Sequence, residues 1–286
     1  MTKTELHQLA VDMVSKLLHS RTGQALSVDR HWRIDTALET VLRHRGIRTS
    51  EDLIVLLTEP GDVAFKQELV EALLNNETYF YRDRQVFDHL AAEVLPGLAL
   101  DKGANRKLSI WSAGCSTGQE PLTLAMILLD QGARWSGWDI DILASDVSAS
   151  AIATARKAVY SNFEIQRGLA VGQMLTHFTE KDHHWKASDR LRSMVRFERR
   201  NLLDLPPPNQ KFDLILCRNL LLYLDAGARR IACRNLQSAI APHGYLLLGG
   251  GETVLDRSDM FKPVRGGCGL YRPVPERRAE PVKRSA

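Results

Sequence analysis

The 286-residue chain has no apolar run long enough to span a bilayer, and no amino-terminal stretch with the pattern of a secretory signal. Its four cysteines, Cys115, Cys217, Cys233 and Cys268, lack the close pairing that zinc sites use. These absences predict a reducing, cytoplasmic setting and no direct membrane insertion. Excess charge is also scarce: 38 Lys and Arg against 34 Asp and Glu give a formal net charge of +4. Five basic and two acidic residues in the stretch from Arg272 to Ala286 hold three of those charges, so the body is close to neutral. A nucleic-acid groove carries a basic patch or stripe, and this balance argues against such a partner. There is no Gly-Lys-Ser/Thr of a phosphate-cradling loop, and the glycine spacing is not the dinucleotide fingerprint. The length is enough for one full core with a smaller companion domain.

What the chain does contain centres on KLSIWSAGCSTGQEPLTLAM, Lys107 to Met126. A short β-prone run, a turn of small residues from Gly114 to Gly118 and a helical pattern from Glu120 read as strand, glycine turn, helix. Pro121 sits in the first helical turn, where its missing N–H costs little. A nucleotide-like ligand fits across such a turn. Glu120 at the helix start repels an anion and attracts an ammonium or sulfonium, which points to S-adenosylmethionine, the bearer of both cations. The same carboxylate also complements the dipole of its own helix, and the turn alone leaves both readings open.

Residues 1–95 read as a small helical domain with a linker helix. Leu6, Leu9, Val14, Leu17 and Leu18 recur at helical intervals, as do Ile34, Ala37, Leu38, Val41 and Leu42. Arg30, Arg33, Arg43, Arg45 and Arg48 give the second helix and its end a basic bias, diluted by Asp29, Asp35 and Glu39, which reads as a solvated face or, more sharply, as a surface for an acidic partner helix. NNETYFYRD, Asn75 to Asp83, gathers amides, a hydroxyl, aromatics and an arginine that can stack on a flat ligand or, equally, cap and pack a helix junction. A second strand from Asp139 ends at Ser145 and Asp146. A carboxylate there can accept both ribose hydroxyls, and the strand-turn-helix context favours this over a helix-cap role. Residues 160–196 break the alternation and read as an insertion with a small antiparallel sheet, in which His183 and His184 are surface residues rather than metal ligands. The pattern resumes through Val195 to Arg199, Phe212 to Cys217, a helix from Ala226 and a closing hairpin. The expected fold is α/β: a Rossmann-like doubly wound sheet over 96–272, with a small all-α amino-terminal domain and a disordered tail, 273–286.

Five stretches in order, NNETYFYRD, IWSAGCSTGQEP, ASDVSASAIATAR, NLLD and FDLILCRNLLLYLD, resemble the chemoreceptor glutamate O-methyltransferases of the CheR type, a class I S-adenosylmethionine-dependent family. The resemblance covers all but the tail. It implies S-adenosylmethionine as donor, glutamate side chains on the helical cytoplasmic domain of membrane chemoreceptors as acceptors, and a glutamyl methyl ester as product, from a monomeric enzyme without metal. It implies donor contacts from Asn76, Thr78 and Arg82, from Glu120, from Asp146 to the ribose, from Asn201 and Leu202 beside the adenine, and from Arg218 and Asn219. It places Tyr223 near the transferred methyl. Leu122 stands where a tyrosine is common, and Gly249 to Gly251 replace the usual Gly-His-Ser. The insertion has no glycine between Phe178 and Val195, where members that capture a receptor's carboxyl-terminal pentapeptide carry a glycine-bearing loop, so no such tether is expected.

The chemistry asks little of the protein. A glutamate with a solution pKa of about 4.3 is already ionised at neutral pH, so no general base or catalytic histidine is needed. Orientation against the sulfonium methyl does the work. Arg82 is expected to hold carboxylates, and Tyr223 to fix the methyl or acceptor. An amino-methyltransferase would carry an Asn/Asp-Pro-Pro-aromatic turn where this chain has Arg218-Asn219-Leu220. A cofactor-sensing module would need neither Arg82 nor Tyr223. A small-molecule methyltransferase differs only in where the methyl lands.

Overall fold

The computed structural model describes residues 2–25, 32–59, 61–208, 210–254 and 259–275. Four helices come first: α1 (Lys3–Thr22), α2 (Trp32–Arg45), α3 (Ser50–Thr58) and α4 (Val63–Leu73). Local chemistry sets their limits. Thr2 and Glu5 form a reciprocal capping box at the start of α1, and Gly23, at φ 71°, ends it by donating its N–H to His19. Thr49 and Asp62 cap α3 and α4 by accepting from Asp52 and Phe65. Their apolar faces enclose a core of Ala10, Val11, Val14, Leu18, Ile34, Val41, Leu53, Phe65, Leu69, Val70, Leu73 and Leu74. Leu9 is 38% exposed, so the buried stripe of α1 is centred one position further on, at Ala10 and Val11. The side chains of Ala37, Leu38, Arg33 and Asp35, and residues Asp29 and Arg30, lie outside the described residues.

A second core begins at Phe80. Helix α5 (Arg84–His89), a π-type turn (Leu90–Val94) and α6 (Leu95–Asp101) place Phe87, Leu90, Val94, Leu95 and Leu98 against the sheet. The linker helix, grouped by sequence with the helical domain, thus shares its core with the sheet and not with the bundle. The sheet comprises β1 (Lys107–Ala113), β2 (Asp139–Asp146), β6 (Val195–Arg199), β7 (Phe212–Cys217), β8 (Ile240–Leu248), β9 (Phe261–Pro263) and β10 (Leu270–Pro273), in the order β6-β2-β1-β7-β8-β10-β9. The first five run parallel, and β10 and β9 pair antiparallel. Alternation divides each strand between two faces. Leu108, Ile110, Ile142, Ala144, Leu214, Leu216 and Leu247 face α7 (Gln119–Asp130) and α8 (Ala149–Lys157); Trp111, Ala113, Leu143, Ile215, Cys217, Leu246 and Leu248 face α12 (Ala226–Ala239). Chain order reverses between β1 and β7, which is where open α/β sheets leave a crevice at their carboxyl ends.

The insertion is the expected antiparallel sheet, with β5 (His184–Ala187) between β3 (Val159–Ser161) and β4 (Phe178–Lys181), and with short helices α9 (Asn162–Gln166), α10 (Val171–His177) and α11 (Asp189–Ser193). It is not a satellite. Tyr160, Ile165, Met174, Phe178, Trp185 and Leu191 join the main core, and the Phe80 ring meets Tyr160 and Phe178 edge-on at 5.1 and 5.5 Å. Gly168, at φ 99°, passes so close to the Phe80 carbonyl that an added Cβ would lie 1.8 Å from its oxygen. Between β4 and β5, Asp182 and His183 both take positive φ, a tight two-residue turn formed without glycine. Pro273, read as the start of the tail, closes β10, and Val274 N donates to the Met260 carbonyl at 2.8 Å because the hairpin pairing runs on. The rest of the expected disordered tail, 276–286, lies outside the described residues.

Candidate functional site

A cleft of about 920 Å³ opens at the carboxyl ends of β1, β2, β6 and β7 and is closed on its far side by the end of α1 and the segment after α4. All ten residues singled out from the sequence, Asn76, Thr78, Arg82, Glu120, Asp146, Asn201, Leu202, Arg218, Asn219 and Tyr223, line it. Parallel strands explain how residues so far apart converge: each strand delivers the residue that follows it to the same edge of the sheet.

The glycine turn serves packing more than ligand approach. Gly114 and Gly118 have φ of 85° and 96°, and a Cβ on them would meet Leu220 at 2.9 Å and Ala155 at 3.0 Å. Glycine there lets β1, α7 and α8 close on one another and brings the main chain of Ser116 against β2. Ser116 N donates to Asp146 Oδ2 at 2.9 Å, and Ser148 N to Oδ1 at 2.9 Å. Two backbone donors thus aim the carboxylate, each oxygen keeping acceptor capacity for a further partner. Helix capping falls to Ser148, whose hydroxyl accepts from Ala151 N, so Asp146 is spared for the cleft. Burial pushes the Asp146 pKa upward, with Glu71 adding to the rise against its backbone hydrogen bonds. Cys115, in the same turn, is a fully buried thiol whose pKa burial raises far above neutrality, which leaves it inert.

Glu120 accepts from Ser112 Oγ at 2.8 Å and from Arg218 Nη1 at 3.1 Å. The Arg218 side chain is only 1% exposed. Its Nη2 donates to Asp83 Oδ2 at 2.6 Å and to the Arg82 carbonyl at 2.8 Å, and its guanidinium stacks 5.2 Å over the Phe87 ring. Arg218 therefore reaches the cleft wall but spends its charge inside it, pinning Glu120 to the 82–83 turn. One guanidinium between two carboxylates leaves one net negative charge. Next to it, Asn219 takes φ 56°, and its Oδ1 is a buried acceptor with no partner among the described residues. Glu252 fixes this turn by accepting from the N–H groups of Asn219, Leu222 and Gly249.

At the other end, Tyr223 is the last residue of the short helix Leu221–Tyr223, and its hydroxyl accepts from Asn75 Nδ2 at 2.5 Å. Arg82 Nη1 donates to the Glu77 carbonyl at 3.0 Å, and the guanidinium lies 5.7 Å from the Tyr79 ring centre. Glu77 is ion-paired to Arg167 at 2.8 Å, a hydrogen bond that holds its carboxyl below the usual range. Asn201 has both ends of its amide committed, Nδ2 to the Arg21 carbonyl and Oδ1 to Leu203 N, so it joins α1 to the loop after β6. Leu202 is buried and forms apolar wall.

Sequence reasoning missed the bundle's contribution. Thr22 and Gln24 line the cleft; Gln24 bridges Leu224, and Ala25 N donates to the Tyr223 carbonyl at 2.8 Å. His19 pairs with Asp225, the cap of α12. Glu71 of α4 reaches the first turn of α8. A polar helix end carries no local signal of what docks on it. His183 and His184 are exposed as expected, and among the described residues no cluster of His, Cys, Asp and Glu could hold a metal. No described helix is long and apolar enough to cross a membrane.

The family model described as CheR methyltransferase, SAM binding domain, matches residues 76–269, the stretch that carries every strand of the main sheet except β10 and most of the cleft. Whole-length relatives agree. The chain is 32% identical to a chemotaxis protein methyltransferase of Vibrio parahaemolyticus over 90% of this chain and 93% of that one. It is 31% identical to chemotaxis protein methyltransferase 1 of Pseudomonas aeruginosa over 88% and 93%, and 31% identical to a chemotaxis protein methyltransferase of Borreliella burgdorferi over 88% and 89%. On these matches, and with the cleft at the switch point of its sheet, the chain belongs to the CheR methyltransferase family.

Proposed function

We propose that the protein transfers the methyl group of S-adenosylmethionine to glutamate side chains on the cytoplasmic helical domain of chemoreceptors, giving glutamyl methyl esters in chemotaxis or a related signalling array. The observation that carries this reading is the distribution of charge along one cleft: aimed carboxylates at the strand ends, and a cation with a phenol at the opposite wall. Asp146 offers acceptors to the ribose hydroxyls. Asn219 Oδ1 lacks a donor that an ammonium would supply, and the surplus negative charge of the Glu120–Arg218–Asp83 group suits a cationic ligand. Leu202 gives the adenine an apolar wall, while Asn201 supports that wall through its backbone bonds. Asn76 and Thr78 border the same space.

The donor supplies an electrophilic methyl on a sulfonium. The acceptor carboxylate oxygen forms the new bond to that carbon as the carbon–sulfur bond breaks, its electron pair leaving with sulfur in S-adenosylhomocysteine. No proton moves. Arg82, held from behind by the Glu77 carbonyl and Tyr79, keeps free guanidinium donors for the incoming carboxylate. Tyr223, fixed by Asn75, presents its ring and oxygen beside it. The test is incubation with methyl-labelled S-adenosylmethionine and membranes bearing chemoreceptors. Label on the receptor, released as methanol by mild base, is the expected outcome. Base-stable label, or label only on a small molecule, would refute the assignment.

A further inference from the structure

Glu71 belongs to the helical bundle, yet its carboxylate is spent on the sheet domain. Oε1 accepts from Ala149 N at 2.7 Å and from Gln67 Nε2 at 3.0 Å; Oε2 accepts from Ser148 Oγ at 2.5 Å and from Ser150 Oγ at 2.9 Å. All but Gln67, a neighbour on α4, belong to the cap and first turn of α8, where unpaired N–H groups and the helix dipole favour an anion. Burial alone would raise the Glu71 pKa, but the hydrogen bonds from Ser148, Ala149, Ser150 and Gln67 outweigh it and hold the carboxyl below its ordinary value. Ser148 is the junction. Its hydroxyl donates to Glu71 and accepts from Ala151 N, while its own N–H donates to Asp146 Oδ1. The intervening Val147 packs against the bundle's core. The whole Asp146-Val147-Ser148 turn is therefore gripped from the bundle side.

We propose that Glu71 is a positioning residue for the donor site: acting through Ser148, it sets the orientation of Asp146, so that the amino-terminal bundle is part of the donor-binding machinery. The inference rests on the donor reading above. A carboxylate is required because four donors converge on it from two sides. Glutamine would turn one acceptor into an NH2 facing donors, releasing the serine hydroxyls or the Ala149 N–H. Freed from Glu71, the Ser148 hydroxyl and the Ala149 N–H lose the anchor that holds this turn, and the Ser148 N–H that aims Asp146 Oδ1 is free to shift with the backbone.

The experiment is calorimetric titration of the full-length protein with S-adenosylhomocysteine, with thermal melts of every variant. Glu71→Gln is expected to weaken binding by about tenfold, the scale of a hydrogen bond to a charged group. Ser148→Ala, which removes the relay and leaves Glu71 in place, is expected to weaken it several-fold, and it carries the test if Glu71→Gln fails to fold. Ser150 Oγ donates to Glu71 and lies 3.0 Å from Ser148 Oγ, so Ser150→Ala is expected to weaken binding by less than Ser148→Ala does. In an Asp146→Asn background, Glu71→Gln should cost at most about twofold more, since the two act in series. A folded Glu71→Gln or Ser148→Ala with wild-type affinity overturns the proposal, as does an undiminished loss in the Asp146→Asn background. Absence of binding by the wild type would instead refute the donor reading itself.

Discussion

In the proposed reaction, Tyr223 and Arg82 substitute placement for proton chemistry at the level of the single side chain. The phenol oxygen accepts a hydrogen bond from the Asn75 side-chain amide, so Tyr223→Phe deletes a neutral hydrogen bond and keeps the ring. A loss of about fivefold in single-turnover rate with donor affinity unchanged is expected, on the scale of about 1 kcal/mol for such a bond. Arg82→Ala removes a cleft-lining charge that the proposal assigns to the acceptor carboxylate and to the border of the donor space, so its rate loss should be larger and its donor affinity lower. The proposed acceptor, a glutamate, is ionised before it binds, so on this mechanism rates between pH 6 and 9 should be flat for wild type and both variants. A steep wild-type rise near neutrality that either substitution abolishes would mean that a proton acceptor is needed. Arg218 and Asn201 are a different kind of residue. Their sequence positions flag them, but one is sealed behind Glu120 and the other bonds only to backbone, facts no motif records.

Elements explain why the inserted sheet is built into the donor domain. The 159–196 segment buries aromatic side chains against Phe80 of the linker, and Gly168 is where the two segments touch. A methyl at Gly168 would collide with the Phe80 carbonyl while forcing a positive φ on alanine. Gly168→Ala should therefore lower stability by about 2 kcal/mol or more, read as a fall in melting temperature of several degrees. An unchanged melt would mean the two segments are not apposed as described. The strands themselves were readable because period-2 alternation and runs such as FDLILC have few alternative uses; Phe212–Cys217 falls where the pattern puts it. The π-type turn at Leu90–Val94 was not readable, since it differs from a helix only in which carbonyl each N–H selects.

For the whole molecule, the bundle and the sheet domain close one cleft from opposite sides, joined at Gln24–Leu224, His19–Asp225, Asn201–Arg21 and Glu71–Ser148. On the proposed function, an acceptor helix enters between them, beside Arg82 and Tyr223. The Asp182–His183 turn at the tip of the inserted sheet is minimal and glycine-free, leaving no longer loop there to hold a second receptor segment. Deleting a receptor's carboxyl-terminal pentapeptide should accordingly leave its methylation rate within about twofold, well short of the gain an effective tether provides. A loss of tenfold or more would establish a tether elsewhere on the surface.

By itself the amino-acid order determined the alternation of strands and helices, the glycine turn, the acidic strand end and the order of motifs that resembles one family. Each of these is written within a few neighbouring residues, where backbone geometry and periodicity act. Tertiary structure alone decided that Asn75 holds Tyr223, that Arg218 turns into the wall between Glu120 and Asp83, and that Glu71 reaches Ser148. Those partners lie 77 to 148 positions apart. A polar side chain carries no local mark of a partner so distant; it acquires one only when packing of the apolar faces brings the two together and removes the water that would otherwise satisfy them.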